Sequence, residues 1–146
     1  MFIKKAIFTD GCCMGVKKRL PGSRKEWKDV LSADEFRVLR EKGTEPAFSG
    51  KFVYNKDKGV YVCAGCGNEL FSSDVKFDSG TGWPSFWDVV SKDSVKLKSD
   101  NSLGMRRIEV LCSKCKGHLG HVFDDGPKPT NKRYCINSIA LNFKRK

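Results

Sequence analysis

The sequence has no apolar run approaching the ~20 residues that a membrane-spanning helix needs. Its opening stretch, MFIKKAIFTD, is too broken by charge to be a secretory h-region. These two lacks predict a chain without a membrane anchor, read as cytoplasmic. Acid is also in short supply. There are 17 Asp and Glu against 28 Lys and Arg, which leaves a net charge of +11. Such a balance raises nucleic acid as a partner. The positive charge is scattered, however, over Lys17-Lys18-Arg19, Arg24-Lys25, Lys96, Lys98, Arg106-Arg107 and Lys144-Arg145-Lys146. No dense stripe interleaved with aromatics emerges, so the plainer reading is a solvated basic surface. There is no low-complexity tract, and no internal repeat beyond a pair of CxxC motifs. With 39% apolar and 31% charged residues, the chain is expected to be globular, long enough for one domain with a hydrophobic core.

Cysteine is what the chain does have: Cys12, Cys13, Cys63, Cys66, Cys112, Cys115 and Cys135. In a cytosolic protein, seven cysteines point to metal binding or redox chemistry rather than to a disulfide framework. CAGCG and CSKCKG form two knuckles. Two residues between the cysteines let both thiolates converge on one ion, and four thiolates complete a tetrahedral zinc shell with no open position. Cys63, Cys66, Cys112 and Cys115 are therefore expected to hold one structural zinc ion. The 45 residues between Cys66 and Cys112 must contain strands, so the metal is expected to clamp two distant parts of a sheet. A rival shell of Cys112, Cys115, His118 and His121 would strand the first knuckle.

Along the chain, residues 1–23 read as a loosely held basic arm and 24–146 as a single zinc-containing domain, with a helical lead-in over 24–45 and a β core over 46–146. Ser32 followed by Glu35 is a capping-box pattern. Phe36, Leu39 and the stem of Arg40 share the face of the helix that follows, which Gly43 and Pro46 should stop. A shorter helix is expected around Trp27 to Leu31. KFVYNKDKGVYVC reads as a hairpin. Further strands are expected at Glu69 to Phe71, Ser94 to Leu97, Met105 to Leu111, Leu119 to Phe123 and Tyr134 to Phe143. The fold class is mainly β and antiparallel, with short N-terminal helices.

Once zinc takes four cysteines, Cys135 is free. A buried free cysteine is usually just a small apolar residue. Alternation along Tyr134 to Phe143 puts Cys135, Asn137, Ile139, Leu141 and Phe143 on one face. A core cysteine has no need of an amide beside it. Arg133 is on the same face, and its charge favours thiolate. GHLGHVFDDG carries both histidines of the chain, His118 and His121, which can act as acids or donors near neutral pH. GTGWPSFW sets Trp83 on a Gly-Pro turn.

CAGCGNELF, SGTGWPSF, the CSKC knuckle, GHLGHVFDDGP and RYCINS, in this order, resemble the peptide methionine-R-sulfoxide reductases of the B type, as does the lead-in LREKGTEPAFSGK. The likeness runs from about Ser32 to Phe143. It implies two antiparallel sheets around a shallow basin, with the zinc opposite the active site. It implies that Cys135 is the nucleophile and becomes a sulfenic acid. Trp83 would pack the substrate's methyl group, and Arg133 would help to tune the thiolate. His118, His121 and Asn137 would position and protonate the sulfoxide oxygen. Many members carry a second cysteine in the SGxGWPSF segment, where this chain has Thr81. Either Cys12 or Cys13 would then resolve the sulfenic acid, or a thioredoxin-like thiol would reduce Cys135 directly. The implied substrate is methionine sulfoxide, free or in proteins, with a shallow site and a basic surface favouring proteins, and the chain is expected to act as a monomer. Against this stand a zinc-ribbon nucleic-acid module and a zinc-stabilised binder of oxidised methionine without turnover. The first leaves Cys135, Asn137 and the histidines unexplained.

Overall fold

The structure is a computed structural model and describes residues 20 to 145. Cys12 and Cys13 lie outside the described residues, as does nearly all of the expected arm. The described chain opens with two short helices. In α1 (Arg24–Val30), the Ser23 side chain caps the first turn by accepting from the Glu26 N–H. In α2 (Ala33–Leu39), the expected capping box is formed. The Glu35 N–H donates to Ser32 Oγ at 3.1 Å, and the Ser32 N–H donates to Glu35 Oε1 at 2.9 Å. The helix buries Phe36, Val38 and Leu39. It stops at Arg40, before Gly43, and Lys42 makes the left-handed turn at φ +59°.

Nine strands follow: β1 (Gly59–Cys63), β2 (Glu69–Ser72), β3 (Lys76–Phe77), β4 (Ser85–Phe86), β5 (Val95–Asp100), β6 (Arg107–Cys112), β7 (His118–Phe123), β8 (Arg133–Ile136) and β9 (Leu141–Arg145). All of their pairings are antiparallel. They build a three-stranded sheet in the order β2-β1-β9 and a six-stranded sheet in the order β3-β4-β8-β7-β6-β5. The chain thus adopts the expected mainly β fold of two antiparallel sheets preceded by short helices. One core joins the sheets. Phe86 of the larger sheet stacks on Phe71 at 4.3 Å and meets Tyr61 edge-on at 5.1 Å, both from the smaller sheet. Val110, Val122, Ile136 and Leu141 complete the same buried cluster.

Two local expectations are overturned. KFVYNKDKGVYVC is not a hairpin: β1 pairs with β2 and β9, and Phe52 to Tyr54 form turns. Phe52 is apolar because its ring packs edge-on against Tyr61 at 5.4 Å, while its N–H donates to Ser138 Oγ at 3.3 Å. The strand expected from Tyr134 to Phe143 is broken. β8 ends at Ile136, a 3-10 turn spans Ser138–Ala140, and β9 continues in the other sheet. Asn137, Ile139 and Phe143 therefore do not extend the face that carries Cys135. The break has a cause: the Ile139 N–H donates to the carboxylate of Glu45 at 2.9 Å, and the Ala140 N–H donates to the Asn137 carbonyl at 3.1 Å. The two strand segments β3 and β4 have only two residues each and were not expected.

Candidate active site

Residues directly opposite one another in an antiparallel pair project from the same face of the sheet. Cys135 on β8 lies opposite Ser85 on β4 and His121 on β7, and His121 lies opposite Glu109 on β6. In a regular strand, His118 and His121 would point to opposite faces, being three apart. β7 carries one extra residue at Leu119, where its register against β6 slips between Val110 and Leu111. That bulge returns His118 to the side of His121, and the two rings meet edge to face with centroids 5.4 Å apart. Gly120 sits between them. A Cβ there would stand 2.0 Å from the Cys135 carbonyl oxygen, so no larger residue lets β7 and β8 close.

Each histidine has a carboxylate behind it. His118 Nδ1 is 2.6 Å from Glu109 Oε2, and Lys42 Nζ is 3.5 Å from the other Glu109 oxygen. The carboxylate fixes the proton on Nδ1. Nε2 is buried and has no partner. Burial lowers the pKa of His118 against the opposing pull of Glu109, so this ring is neutral near pH 7. His121 Nε2 is 2.8 Å from Asp100 Oδ2, which leaves Nδ1 as the free ring nitrogen. The His121 hydrogen bond, followed by those from Ser102, holds Asp100 well below the usual carboxylate range, and Arg107 stands 3.6 Å from it. Glu109, Asp100 and Lys42 were missed in the sequence. The signal available was an acid set between Ile108 and Val110 in an otherwise apolar strand.

Cys135 is partly buried. Burial pushes its thiol up, and the Arg133 charge and a hydrogen bond from Thr81 pull it down, with burial the stronger. Arg133 has the expected effect on the sulfur but is outweighed. It is itself held by Asp125 at 2.8 and 3.2 Å and lies over the Phe123 ring at 4.4 Å. Thr81 belongs to a chain of hydroxyls, with Ser79 2.7 Å from both Thr81 and the fully buried Ser85. Asn137 is buried, and both ends of its amide meet backbone. Nδ2 donates to the carbonyl of the bulged Leu119 at 3.0 Å, and Oδ1 accepts from the Glu45 N–H at 3.0 Å. Glu45 is a second missed residue. Beyond that bond and the one from Ile139, its carbonyl accepts the Trp83 indole N–H at 2.9 Å. One residue of the lead-in therefore fixes Trp83, Asn137 and the turn after Cys135.

The four knuckle cysteines converge as expected. Their sulfurs all lie within 4.8 Å of one another, with Cys63–Cys115 at 3.6 Å and Cys66–Cys112 at 3.5 Å. Zinc–sulfur bonds of about 2.3 Å in a tetrahedron would set sulfurs about 3.8 Å apart, so the set fits a four-thiolate ion. Sulfurs this far apart are not bonded as disulfides. The knuckles repeat one geometry: the Gly67 N–H donates to the Cys63 carbonyl and the Lys116 N–H to the Cys112 carbonyl, both at 2.8 Å and both at left-handed φ. The first knuckle ends β1 and the second joins β6 to β7, so the site links two sheets rather than two parts of one. The mixed Cys2His2 shell is not formed, because both histidine rings are turned to Glu109 and Asp100. On β6, Cys112 shares the parity of the buried Val110, and Glu109 has the other. The four-cysteine cluster and the Cys135 face are thus on opposite sides of the larger sheet.

A family model for the SelR domain matches residues 31–145. The chain belongs to the SelR family, the B-type methionine-R-sulfoxide reductases. It is similar to a protein of Methanosarcina barkeri named peptide methionine sulfoxide reductase MsrB, at 65% identity over 128 residues, 88% of this chain and 90% of the relative. A Leptospira interrogans protein of the same name is 57% identical over 84% of this chain and 94% of its own length. Methionine-R-sulfoxide reductase B3, mitochondrial, of Mus musculus is 49% identical over 91% of this chain and 53% of its own length. In this SelR domain, the helices of the lead-in cover the four-cysteine cluster: Arg40 donates to the Cys115 carbonyl at 2.9 Å and stacks over Trp27 at 4.8 Å. Among the described residues, no helix is long and apolar enough to cross a membrane.

Proposed function

We propose that this chain reduces methionine-R-sulfoxide, in peptides or proteins, to methionine, with Cys135 as the nucleophile. The observation that carries the reading is the placement of Cys135 directly opposite His121 on the neighbouring strand, with Asp100 holding the far nitrogen of that ring. The sulfur of Cys135 takes the sulfoxide oxygen, and the S–O bond of the substrate breaks. The thiol proton ends on the transferred oxygen, so Cys135 leaves as a sulfenic acid and the substrate as the thioether. His121, held by Asp100, passes the thiol proton to the oxygen as negative charge develops there. His118 stays neutral and packs against His121. Asn137 holds the bulge that aligns both rings, and Trp83, anchored on Glu45, is the wall for the methyl group. Arg133 stabilises the thiolate as it forms. Zinc, bound by Cys63, Cys66, Cys112 and Cys115, supplies structure and no chemistry.

Two thiols then return Cys135 to its reduced form, releasing water and a disulfide. We assign this to a thioredoxin-like protein or to Cys12 or Cys13. A Cys12→Ser, Cys13→Ser double variant that turns over normally with thioredoxin removes the arm from the cycle. The reaction itself is tested with separated R and S epimers of blocked methionine sulfoxide and dithiothreitol. The parent should consume the R epimer alone, and Cys135→Ser neither. Consumption by Cys135→Ser would refute the assignment.

A further inference from the structure

Phe48 is placed in a way the chemistry above does not require. It sits at φ +67°, a left-handed conformation that is an outlier for a bulky residue, yet its side chain is 59% exposed. A lone exposed apolar residue is ordinary. One held in strained backbone is not, because strain persists only where the surroundings over-determine it, and it gathers at functional sites. The surroundings here belong to the Cys135 site. The Phe48 N–H donates to the Gly82 carbonyl at 2.7 Å. Gly82 is at φ +95°, and a Cβ on it would stand 2.8 Å from Ala47 Cβ and 2.9 Å from Phe48 Cδ2, so the ring lies against the loop. Thr81, just before Gly82, is hydrogen-bonded to Cys135, and Trp83, just after it, is held by Glu45. The segment from Glu45 to Phe48 therefore grips the Trp83 loop on both sides and leaves the Phe48 ring open to solvent beside it.

We propose that Phe48 determines specificity: its ring is an apolar ledge at the rim of the site that takes an apolar side chain next to the methionine sulfoxide in a polypeptide substrate. The proposal rests on the reductase reading above. A single blocked amino acid has no neighbouring side chain to reach the ledge. A polypeptide has one on each side, and covering the ring removes apolar surface from water on both partners.

The test uses dithiothreitol, so that no protein reductant contributes, and two kinds of R-sulfoxide pentapeptide. One has glycine on both sides of the oxidised methionine, and the other has leucine before or after it. The parent should show kcat/KM about 5- to 10-fold higher for a leucine-flanked peptide, the effect of burying about half of one such side chain. Phe48→Ala and Phe48→Gly should bring this ratio to about one. Glycine suits the left-handed backbone, so the second variant removes the ring without adding strain. Tyr54→Ala, which removes a 61%-exposed aromatic ring, should keep the parent's ratio. A parent that reduces all peptides alike overturns the proposal and leaves the reductase reading standing, and so does a ratio that survives in both Phe48 variants. A Phe48 effect seen only with thioredoxin as reductant also overturns it and assigns the ledge to the reductant. A parent that reduces no peptide overturns both readings together.

Discussion

At the scale of single residues, Cys135, the proposed nucleophile, starts as a thiol, since burial outweighs Arg133 and Thr81. The sulfoxide oxygen must gain a proton in any case, so a thiol that releases its proton only as the oxygen accepts it fits the overall balance. The pH dependence of reactivity follows. Alkylation of Cys135, followed by mass spectrometry of its peptide, should rise with pH to a midpoint above the ordinary thiol value of about 8.5. Arg133→Ala should move that midpoint higher still, because it removes a charge that favours the thiolate. A midpoint below the ordinary thiol value of about 8.5 would falsify this account of the site. Thr81 gives a second residue-scale expectation. Its hydroxyl already reaches Cys135, so Thr81→Cys should form a disulfide with Cys135 after one turnover, detectable as the loss of two free thiols. The sequence disclosed His118, His121 and Trp83 because their residue types are scarce and sit beside Gly or Pro, and Cys135 because it stands apart from the other cysteines. It did not disclose Glu109, Asp100 or Glu45. An acid's partner depends on which strand lies opposite it, and composition carries no register.

At the scale of elements, the site depends on one bulge and one break. Without the extra residue at Leu119, His118 would face the hydrophobic core and its bond to Glu109 would be lost. The Leu119 carbonyl accepts both the backbone N–H and the side-chain N–H of Asn137, each at 3.0 Å. Asn137→Ala leaves that carbonyl one bond short and the buried Glu45 N–H without an acceptor. It should destabilise the fold by roughly 1–3 kcal/mol, read from a denaturant midpoint. It should lower kcat more than stability alone explains, since both histidines lose their alignment. Activity measured well below the unfolding transition separates the two effects, and an unchanged kcat there would remove Asn137 from the site. Sequence alternation over Tyr134 to Phe143 was real, but it described two strands in two sheets. The group that breaks them, the Glu45 carboxylate, lies 94 residues earlier and leaves no mark on the local pattern. The capping box of α2 was legible for the opposite reason: all its partners lie within three residues.

At the scale of the molecule, two independent ties hold the sheets together. One is the shared core, in which Phe86 bridges Phe71 and Tyr61. Phe86→Ala should cost about 3–5 kcal/mol, the usual range for emptying such a position. The other is the four-cysteine cluster, which joins the end of β1 to the β6–β7 hairpin. Zinc held by four thiolates contributes roughly 10–16 kcal/mol of apparent folding free energy in small metal-dependent domains. A whole domain is typically stable by only about 5–15 kcal/mol. Metal loss should therefore lower Tm further than Phe86→Ala does. The cluster was the most legible feature of the sequence, because a repeated CxxC spacing encodes its own geometry. What that spacing left open was which sheets the cluster joins. Purified protein should release one equivalent of zinc when its thiols are titrated with an organomercurial, read by a chromophoric chelator. Cys112→Ser should lose the metal and much of its thermal stability. Because the cluster and the Cys135 face lie on opposite sides of the larger sheet, activity should fall only as the fold is lost, along the same curve as circular dichroism. If activity disappears while the fold stays intact, the metal takes part in the chemistry and the structural assignment fails.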